Sequence, residues 1–368
     1  MMTRDERYMK RALQLARKGV GSTSPNPAVG CVIVREDRIV GEGWHKRAGG
    51  HHAEVHALQA AGDLARGSEV FVTLEPCCHS GKTPPCSEAL IAAGVRRVIA
   101  GMRDPNPRVD GGGLQALQTA GIETICGIRE AECRELNRPF LKHVTTGRPF
   151  VTYKCAMTLD GKIATVTGES RWISGEASRR HVHRMRAQCD AVMVGVDTII
   201  ADNPQLTVRH VRGSNPLRII VDSRLRTPDS VAVLSGRMAR KTIIATIETN
   251  PRIHRRYTNN GATMLVCRDY EGRVDLDDLW LRLGEMDIQN VLLEGGSRLA
   301  GEALARNLID ECVFFYAPKV IGSDGFSPFT VTGNTDMGQA IAFTITDVRR
   351  MGQDLAVIAR PESQCLPA

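Results

Sequence analysis

Short apolar runs alternate with stretches of helical periodicity along almost the whole chain, which restricts it to a layered α/β fold. Tyr8, Ala12, Leu15 and Ala16 recur at helical spacing and predict a helix over Arg4–Lys18. Extended runs at Ala28–Val34 and Arg38–Gly43 flank Glu36-Asp37 and predict a hairpin. A helix over Ala53–Ala61, a strand over Glu69–Leu74, a helix over Ser87–Ala93 and a strand over Arg96–Ala100 follow. A helix over Gly113–Ala120 and a strand over Ile122–Ile125 complete this first series. The pattern breaks over Val144–Pro149, so the expected domains are 1–147 and 148–368. The second series predicts strands over Phe150–Lys154, Ala191–Gly195, Leu217–Asp222, Ile243–Ile247, Asn290–Leu293 and Glu311–Ala317. Its helices are expected over Ser178–Ala187, Leu276–Leu283 and Leu299–Arg306.

Two domains also suit a length of 368 residues, because a typical domain has about 150. No apolar run reaches the roughly 18 to 20 residues that cross a bilayer. Met1–Lys18 carries charges throughout, where a signal peptide has an uninterrupted apolar segment. These features predict a cytoplasmic protein with no membrane partner. In that compartment the 11 cysteines stay reduced, and clustered thiols serve as metal ligands or catalytic groups. The formal charge of +7 is spread along the chain, with no dense basic tract and no interleaved aromatics. It therefore suits an anionic small molecule better than nucleic acid, which is not expected as a partner.

His52-Ala53-Glu54 opens a helix after a Gly-rich turn, Glu75-Pro76-Cys77 ends a strand, and Cys86 opens the next helix. One imidazole and two thiolates make a three-ligand set, whose open fourth position is the mark of catalytic rather than structural zinc. Glu54 lies two residues from His52, close enough to take a proton from water at that position without being a ligand. The pattern matches the H-x-E and P-C-x-x-C signature of zinc base deaminases. Here, however, eight residues, Cys78 to Pro85, separate the cysteines. On the residues alone, His56 can share the helix face of His52, and Cys78 or His79 can stand in for Cys77.

The insert His79-Ser80-Gly81-Lys82-Thr83 is polar and cationic, fit to cradle a phosphate. Asn26, within Ser24-Pro25-Asn26-Pro27-Ala28-Val29-Gly30, sits on a turn rigid enough to aim its amide at a ligand; the plain alternative is a turn residue.

These segments, together with Asp104-Pro105-Asn106-Pro107, resemble the deaminase half of the bifunctional deaminase-reductase family of riboflavin biosynthesis. The resemblance implies an α/β fold whose N-terminal part is a cytidine-deaminase-like α/β/α layered domain. It implies one zinc ion per chain on His52, Cys77 and Cys86, and a proton shuttle at Glu54. Substrate contacts are implied at Asn26, His79, Lys82, Asp104 and Asn106. One residue departs from the family pattern: Cys78 stands where Ser is expected, leaving two adjacent thiols at the metal.

The resemblance continues through Lys154-Cys155-Ala156-Met157-Thr158-Leu159-Asp160-Gly161-Lys162, Gly168-Glu169-Ser170-Arg171-Trp172-Ile173 and Ala201-Asp202-Asn203-Pro204. This half is similar to the family's reductase domain, which implies a dihydrofolate-reductase-like α/β fold and NADPH. Implied cofactor contacts are Ala156, Trp172, Thr198, Asp202, Ser223, Gly296, Ser297, Arg298, Leu299, Ala300, Gly301 and Glu302. Implied substrate contacts are Lys154, Ser170, Arg186, Leu206, Arg209 and Glu294.

The residues support part of this independently. Leu293-Glu294-Gly295-Gly296-Ser297 sets two glycines between a strand and a helix, where free backbone N–H groups cradle phosphate, though the full dinucleotide fingerprint is absent. Arg186 and Arg209 suit a phosphate because guanidinium grips it as a fork; a solvated surface charge is the alternative.

The implied function is hydrolytic deamination of a diamino-ribosylamino-pyrimidinone phosphate, then NADPH reduction of its ribosyl group to ribityl. The implied partner is that small phosphorylated pyrimidine, and a homo-oligomer is expected. A tRNA adenosine deaminase would need a nucleic-acid face, and a zinc-stabilised binding module would need four closed ligands.

Overall fold

The computed structural model describes residues 2–78, 84–106, 109, 111–331 and 336–362. The chain divides into two compact units, Met1–Arg148 and Pro149–Ala368.

In the first unit α1 (Arg4–Ala16) begins at a reciprocal capping box between Thr3 and Glu6. The hairpin of β1 (Gly30–Arg35) and β2 (Arg38–Trp44) turns through Glu36 and Asp37, at φ 51° and 59°, the left-handed pair of a tight hairpin turn. Next come α2 (Ala53–Ala61), β3 (Glu69–Val72), α3 (Cys86–Ala93), β4 (Arg97–Ala100) and α4 (Gly112–Thr119). The unit ends with β5 (Glu123–Cys126), α5 (Glu130–Leu136) and α6 (Arg138–Thr146).

Its sheet runs β2-β1-β3-β4-β5, with β1 antiparallel to both neighbours and the other pairs parallel. Side chains alternate across it. Cys31, Ile33, Val70, Val72 and Val98 pack towards α2, α3 and α4, while Val32, Val34, Phe71 and Ile99 pack towards α1, α5 and α6. The result is an α/β/α sandwich.

Helix α2 lies on β2 backbone to backbone: a Cβ on Gly43 would stand 2.2 Å from the Ala53 carbonyl oxygen. Ala53 follows His52 directly, so this approach fixes the height of the helix start. On the other face, Glu69 ties α1 to the start of the central strand β3. Its buried carboxylate accepts from Arg4 at 2.9 Å, from Arg97 at 3.3 Å and from Arg96.

The second unit comprises β6 (Phe150–Thr158), α7 (Glu176–Gln188), β7 (Ala191–Gly195), α8 (Val196–Asp202), β8 (Leu217–Val221), β9 (Thr242–Thr246) and α9 (Pro251–Thr258). Then come β10 (Thr263–Val266), the small pair β11 (Asp269–Tyr270) and β12 (Arg273–Val274), and α10 (Leu276–Glu285). Last are β13 (Asn290–Glu294), α11 (Ser297–Ala305), β14 (Glu311–Ala317), β15 (Phe343–Met351) and β16 (Asp354–Pro361).

A nine-stranded sheet runs β10-β9-β8-β7-β13-β6-β14-β16-β15, parallel from β10 to β14 and antiparallel at the last two. Tyr153, Met193, Ile219 and Leu293 face α10 and α11, and Val192, Val194, Ile220 and Ile244 face α8 and α9. Strand β13 returns between β6 and β7, so the chain reverses its march across the sheet there. The carboxyl ends at such a reversal form the crevice where α/β sheets hold ligands.

Some boundaries differ from the sequence periodicity. Strand β6 runs on to Thr158, because it pairs with β14 along its whole length. Val144–Thr146, expected within the break, is the last turn of α6, which stops at Gly147 with φ 69°.

Gly43→Ala should destabilise the protein by about 1–3 kcal/mol, the range for forced overpacking, as read from thermal unfolding. Burial would raise the Glu69 carboxyl, but hydrogen bonds from Arg4 and Arg96 outweigh it and hold it below the usual range. A depressed carboxyl contributes stability that is complete above its unfolded pKa, about 4.3, and is lost as pH falls through the lower folded value. Glu69→Gln should therefore shrink the stability difference between about pH 7 and about pH 3 in denaturant titrations.

Candidate functional site

In the first unit two helix starts and one strand end converge. His52 is the N-cap of α2, Cys86 is the first residue of α3, and Cys77 follows β3. Their ligand atoms all lie within 4.8 Å of one another. His52 Nδ1 stands 3.2 Å from Cys86 Sγ and 3.6 Å from Cys77 Sγ, and the Cys86 backbone N–H donates to Cys77 Sγ at 3.3 Å. Helix starts and backbone N–H groups both favour thiolate. A hydrogen bond with Cys86, reinforced by His52 against the effect of burial, lowers the Cys77 thiol to about 4.

One imidazole and two thiolates are a donor set that suits zinc. Among the described residues these three alone form a His/Cys/Asp/Glu group able to hold a metal. Of the alternatives open in the sequence, Cys78 and His56 are thereby set apart. The Cys78 side chain lies against Gly112 and the Val109 carbonyl, and the His56 ring stands edge-on to His51. His79 and Lys82 lie outside the described residues.

Glu54 occupies the first turn of α2 with 3% exposure, and its carboxyl hydrogen-bonds Cys86. Burial pushes it up to about 7, opposed in part by His52. It thus lies beside the ligands without belonging to their group.

Two supports were not legible as such. The Asn26 amide meets His45 Nε2 at 3.2 Å, while His45 Nδ1 meets the His51 carbonyl at 3.0 Å and its ring stacks edge-on against His52 at 5.4 Å. The Asn137 amide grips Ala28 at both N–H and C=O, 2.8 and 3.1 Å, and so fixes the turn that carries Asn26. Buried Glu75 accepts from the backbone N–H groups of Asp104, Gly111 and Leu114 at 3.1–3.2 Å. Asp104 in turn accepts from the Asn106 N–H at 2.9 Å. The sequence signal for Glu75 was its place beside Pro76-Cys77; His45 and Asn137 gave none.

In the second unit Lys154, midway along β6, lies in register beside Glu294, the last residue of β13, with their charged groups 3.8 Å apart. Arg186, from α7, closes its fork on Glu294 at 2.6 and 2.9 Å and donates to the Thr207 carbonyl at 3.2 Å. Burial would raise the Glu294 carboxyl, but Arg186, aided by Lys154, holds it below the usual range. The fork that the sequence offered to a phosphate is therefore engaged within the protein. Arg209 is exposed and reaches Gln205 at 2.8 Å, and Leu206 is buried.

Gly295 and Gly296 adopt φ 73° and 77°, and a Cβ on Gly295 would stand 3.3 Å from the Thr198 hydroxyl. This cradle, at the uncapped start of α11, has the backbone donors and the room a nucleotide phosphate needs. Ser297 and Arg298 are open there, whereas Ala300 is fully buried and a Cβ on Gly301 would stand 2.3 Å from the Thr330 carbonyl oxygen. Ala156 lies on β6, and Glu302, one turn into α11, pairs with Arg306 at 3.0 Å. Ser170 donates to Asp202 at 3.5 Å; Trp172 is 66% exposed under Arg179. Ser223 accepts from the Val274 N–H at 3.0 Å, beyond β8.

Comparison with known proteins agrees with both centres. Residues 2–102 match the cytidine and deoxycytidylate deaminase zinc-binding region, and residues 149–357 match the RibD C-terminal domain. The riboflavin biosynthesis protein RibD of Actinobacillus pleuropneumoniae is 43% identical over 349 residues, 95% of this chain and 93% of that protein. The solved structure of Acinetobacter baumannii RibD, form 1, superposes with TM-score 0.90 at 38% identity, covering 99% of this chain and 100% of that one. The diaminohydroxyphosphoribosylaminopyrimidine deaminase/5-amino-6-(5-phosphoribosylamino)uracil reductase of Thermotoga maritima superposes with TM-score 0.85 at 38% identity, covering 97% and 99%. With such likeness along nearly its whole length, the chain belongs to the RibD family of riboflavin biosynthesis proteins, a cytidine-deaminase-like domain followed by a RibD C-terminal α/β domain.

Proposed function

We propose that residues 1–147 carry out the deamination and residues 148–368 the reduction of a bifunctional enzyme of riboflavin biosynthesis that uses zinc and NADPH. The substrate is a diamino-ribosylamino-pyrimidinone phosphate. The observation that carries this reading is buried Glu54 beside the His52, Cys77 and Cys86 group.

His52, Cys77 and Cys86 hold the zinc, which when bound supplies Lewis acidity that makes water nucleophilic near neutral pH. The Glu54 carboxylate takes a proton from the attacking water and delivers it to the leaving amino nitrogen. Water and amine thereby become carbonyl and ammonia. Asn26, held by His45, and Asp104 with Asn106, held by Glu75, orient the pyrimidine ring. His79 and Lys82 take its phosphate.

In the second domain the cofactor supplies a hydride to the anomeric carbon of the sugar. Lys154 Nζ delivers the proton that the ring oxygen gains as the sugar opens, and Glu294 with Arg186 keeps that ammonium in place. Ala156, Trp172, Thr198, Asp202, Ser223 and the segment Gly296–Glu302 would hold the NADPH, with the backbone N–H groups at the start of α11 open to its phosphate. Ser170, Leu206 and Arg209 face the substrate.

The enzyme works in the cytoplasm, a placement supported by the free state of every described cysteine. Among the described residues, no helix is long and apolar enough to cross a membrane. It works as a homo-oligomer, a reading supported by β15, a nine-residue edge strand with Ile345 and Val348 exposed at 62% and 52%.

Glu54→Gln should cut ammonia release at least about 100-fold, with NADPH oxidation on the already deaminated pyrimidine unchanged. Chelation should produce the same selective loss, reversed by added zinc. Ammonia release that survives either treatment would remove Glu54 or the metal from the chemistry. Light scattering should give the wild type a mass that is a multiple of 40.2 kDa, and Val348→Lys should lower it; a wild-type monomer would overturn the assembly.

A further inference from the structure

The segment after α8 is held in a conformation that Leu206, at φ 53°, does not itself favour. Asn203, Leu206 and His210 all take positive φ, 44°, 53° and 65°, although none is glycine. Such backbone persists only where the surroundings over-determine it. Four contacts from outside the segment do so. Asn203 Oδ1 accepts from the Ala232 N–H at 2.7 Å, Asn215 Oδ1 accepts from the Val208 N–H at 2.7 Å, and Arg186 donates to the Thr207 carbonyl. The fourth falls on Arg209 itself, whose N–H donates to His183 Nδ1 at 3.0 Å.

His183 and Arg186 lie three residues apart on α7 and therefore share a face. His183 is 6% exposed, its ring is packed at 5.0 Å against His210, and Arg186 and Arg209 stand near it. This buried imidazole stands among cations, with the Glu294 carboxylate also in electrostatic reach and a backbone hydrogen bond with Thr207. Its Nδ1 is engaged by the Arg209 backbone. That bond requires Nδ1 to be unprotonated, since the peptide N–H supplies the proton. The surroundings favour this state: burial first, then Arg186, Arg209 and His210, lower the imidazole to about 4.

We propose that His183, as neutral imidazole, is a positioning residue of the reductase domain, holding the backbone at Arg209 so that Leu206 and Arg209 face the sugar phosphate of the substrate. It touches neither substrate nor cofactor and acts through the segment it pins. The proposal rests on the reading of Leu206 and Arg209 as substrate contacts.

The test uses the full-length zinc-loaded chain, with saturating NADPH and the deaminated pyrimidine as substrate. His183→Leu should raise KM for the pyrimidine about tenfold or more, the scale expected when a contact shifts by a fraction of an ångström. It should leave kcat within about threefold and the Kd of NADPH unchanged, because the Gly295–Gly296 cradle is not touched. Calorimetry with ribose phosphate should show the same weakening without turnover. His183→Asn, whose Oδ1 can take the place of Nδ1, should recover most of both losses.

An unchanged KM in His183→Leu would overturn the proposal. So would His183→Asn behaving like His183→Leu while both melt at the same lowered temperature, since the ring would then serve packing alone. Arg209→Ala separates the two levels. If it leaves KM unchanged, the substrate reading of Arg209 fails; if it raises KM and His183→Leu does not, only the positioning role fails.

Discussion

Parallel pairing of strands is the constraint on which both centres depend. In a parallel sheet every crossover begins on the same edge, so strand carboxyl ends and helix starts collect there. Strands β3 and β4 deliver Cys77 and Asp104 in this way, and α3 begins at Cys86. Strands β7, β8 and β13 deliver Thr198, Ser223 and Glu294, and Lys154, midway along β6, lies in register beside Glu294. Residues far apart in sequence become neighbours without any long loop having to be ordered for the purpose. His52 is the exception, brought in by the backbone contact between α2 and β2.

The two units bury carboxylates in different company. Glu54 lies against an imidazole and thiols and has no guanidinium partner, which suits a group that exchanges a proton. Glu294 is gripped by the Arg186 fork and faced by Lys154, which suits a group that stays ionised and aims its neighbours. A buried ion pair of this kind is weak evidence for stability. Its service here is geometric, since Arg186 passes the constraint on to Thr207.

Much of this was legible in the sequence because periodicity and motif agreed. The hairpin at Glu36-Asp37, the helix after His52 and the strand before Pro76 all appear at or near the expected residues. Two of the unpredicted elements have a plain physical cause. Helix α8 has only seven residues, and β15 is an edge strand exposed on both faces, so neither imprints a pattern of burial. Of the site, the metal group and Glu54 were readable because their chemistry dictates residue type and spacing. Asn137 and His183 were not, because each acts on backbone groups of a distant segment, and His45 was not, because its partners are the Asn26 amide and the His51 carbonyl. A backbone partner leaves no mark on the sequence that bears it.

The contact between α2 and β2 has one more consequence. Because Gly43 meets the Ala53 carbonyl without an intervening side chain, there is no residue there whose size could be adjusted to move the helix. The metal group is thus set on a fixed mount, and divergence in what such a deaminase accepts has to be written into the segments around it. Those are the turn carrying Asn26, the stretch between Cys77 and Cys86, and the loop that Glu75 gathers. Chemistry and selectivity are in this way placed on different parts of the chain, free to change at different rates.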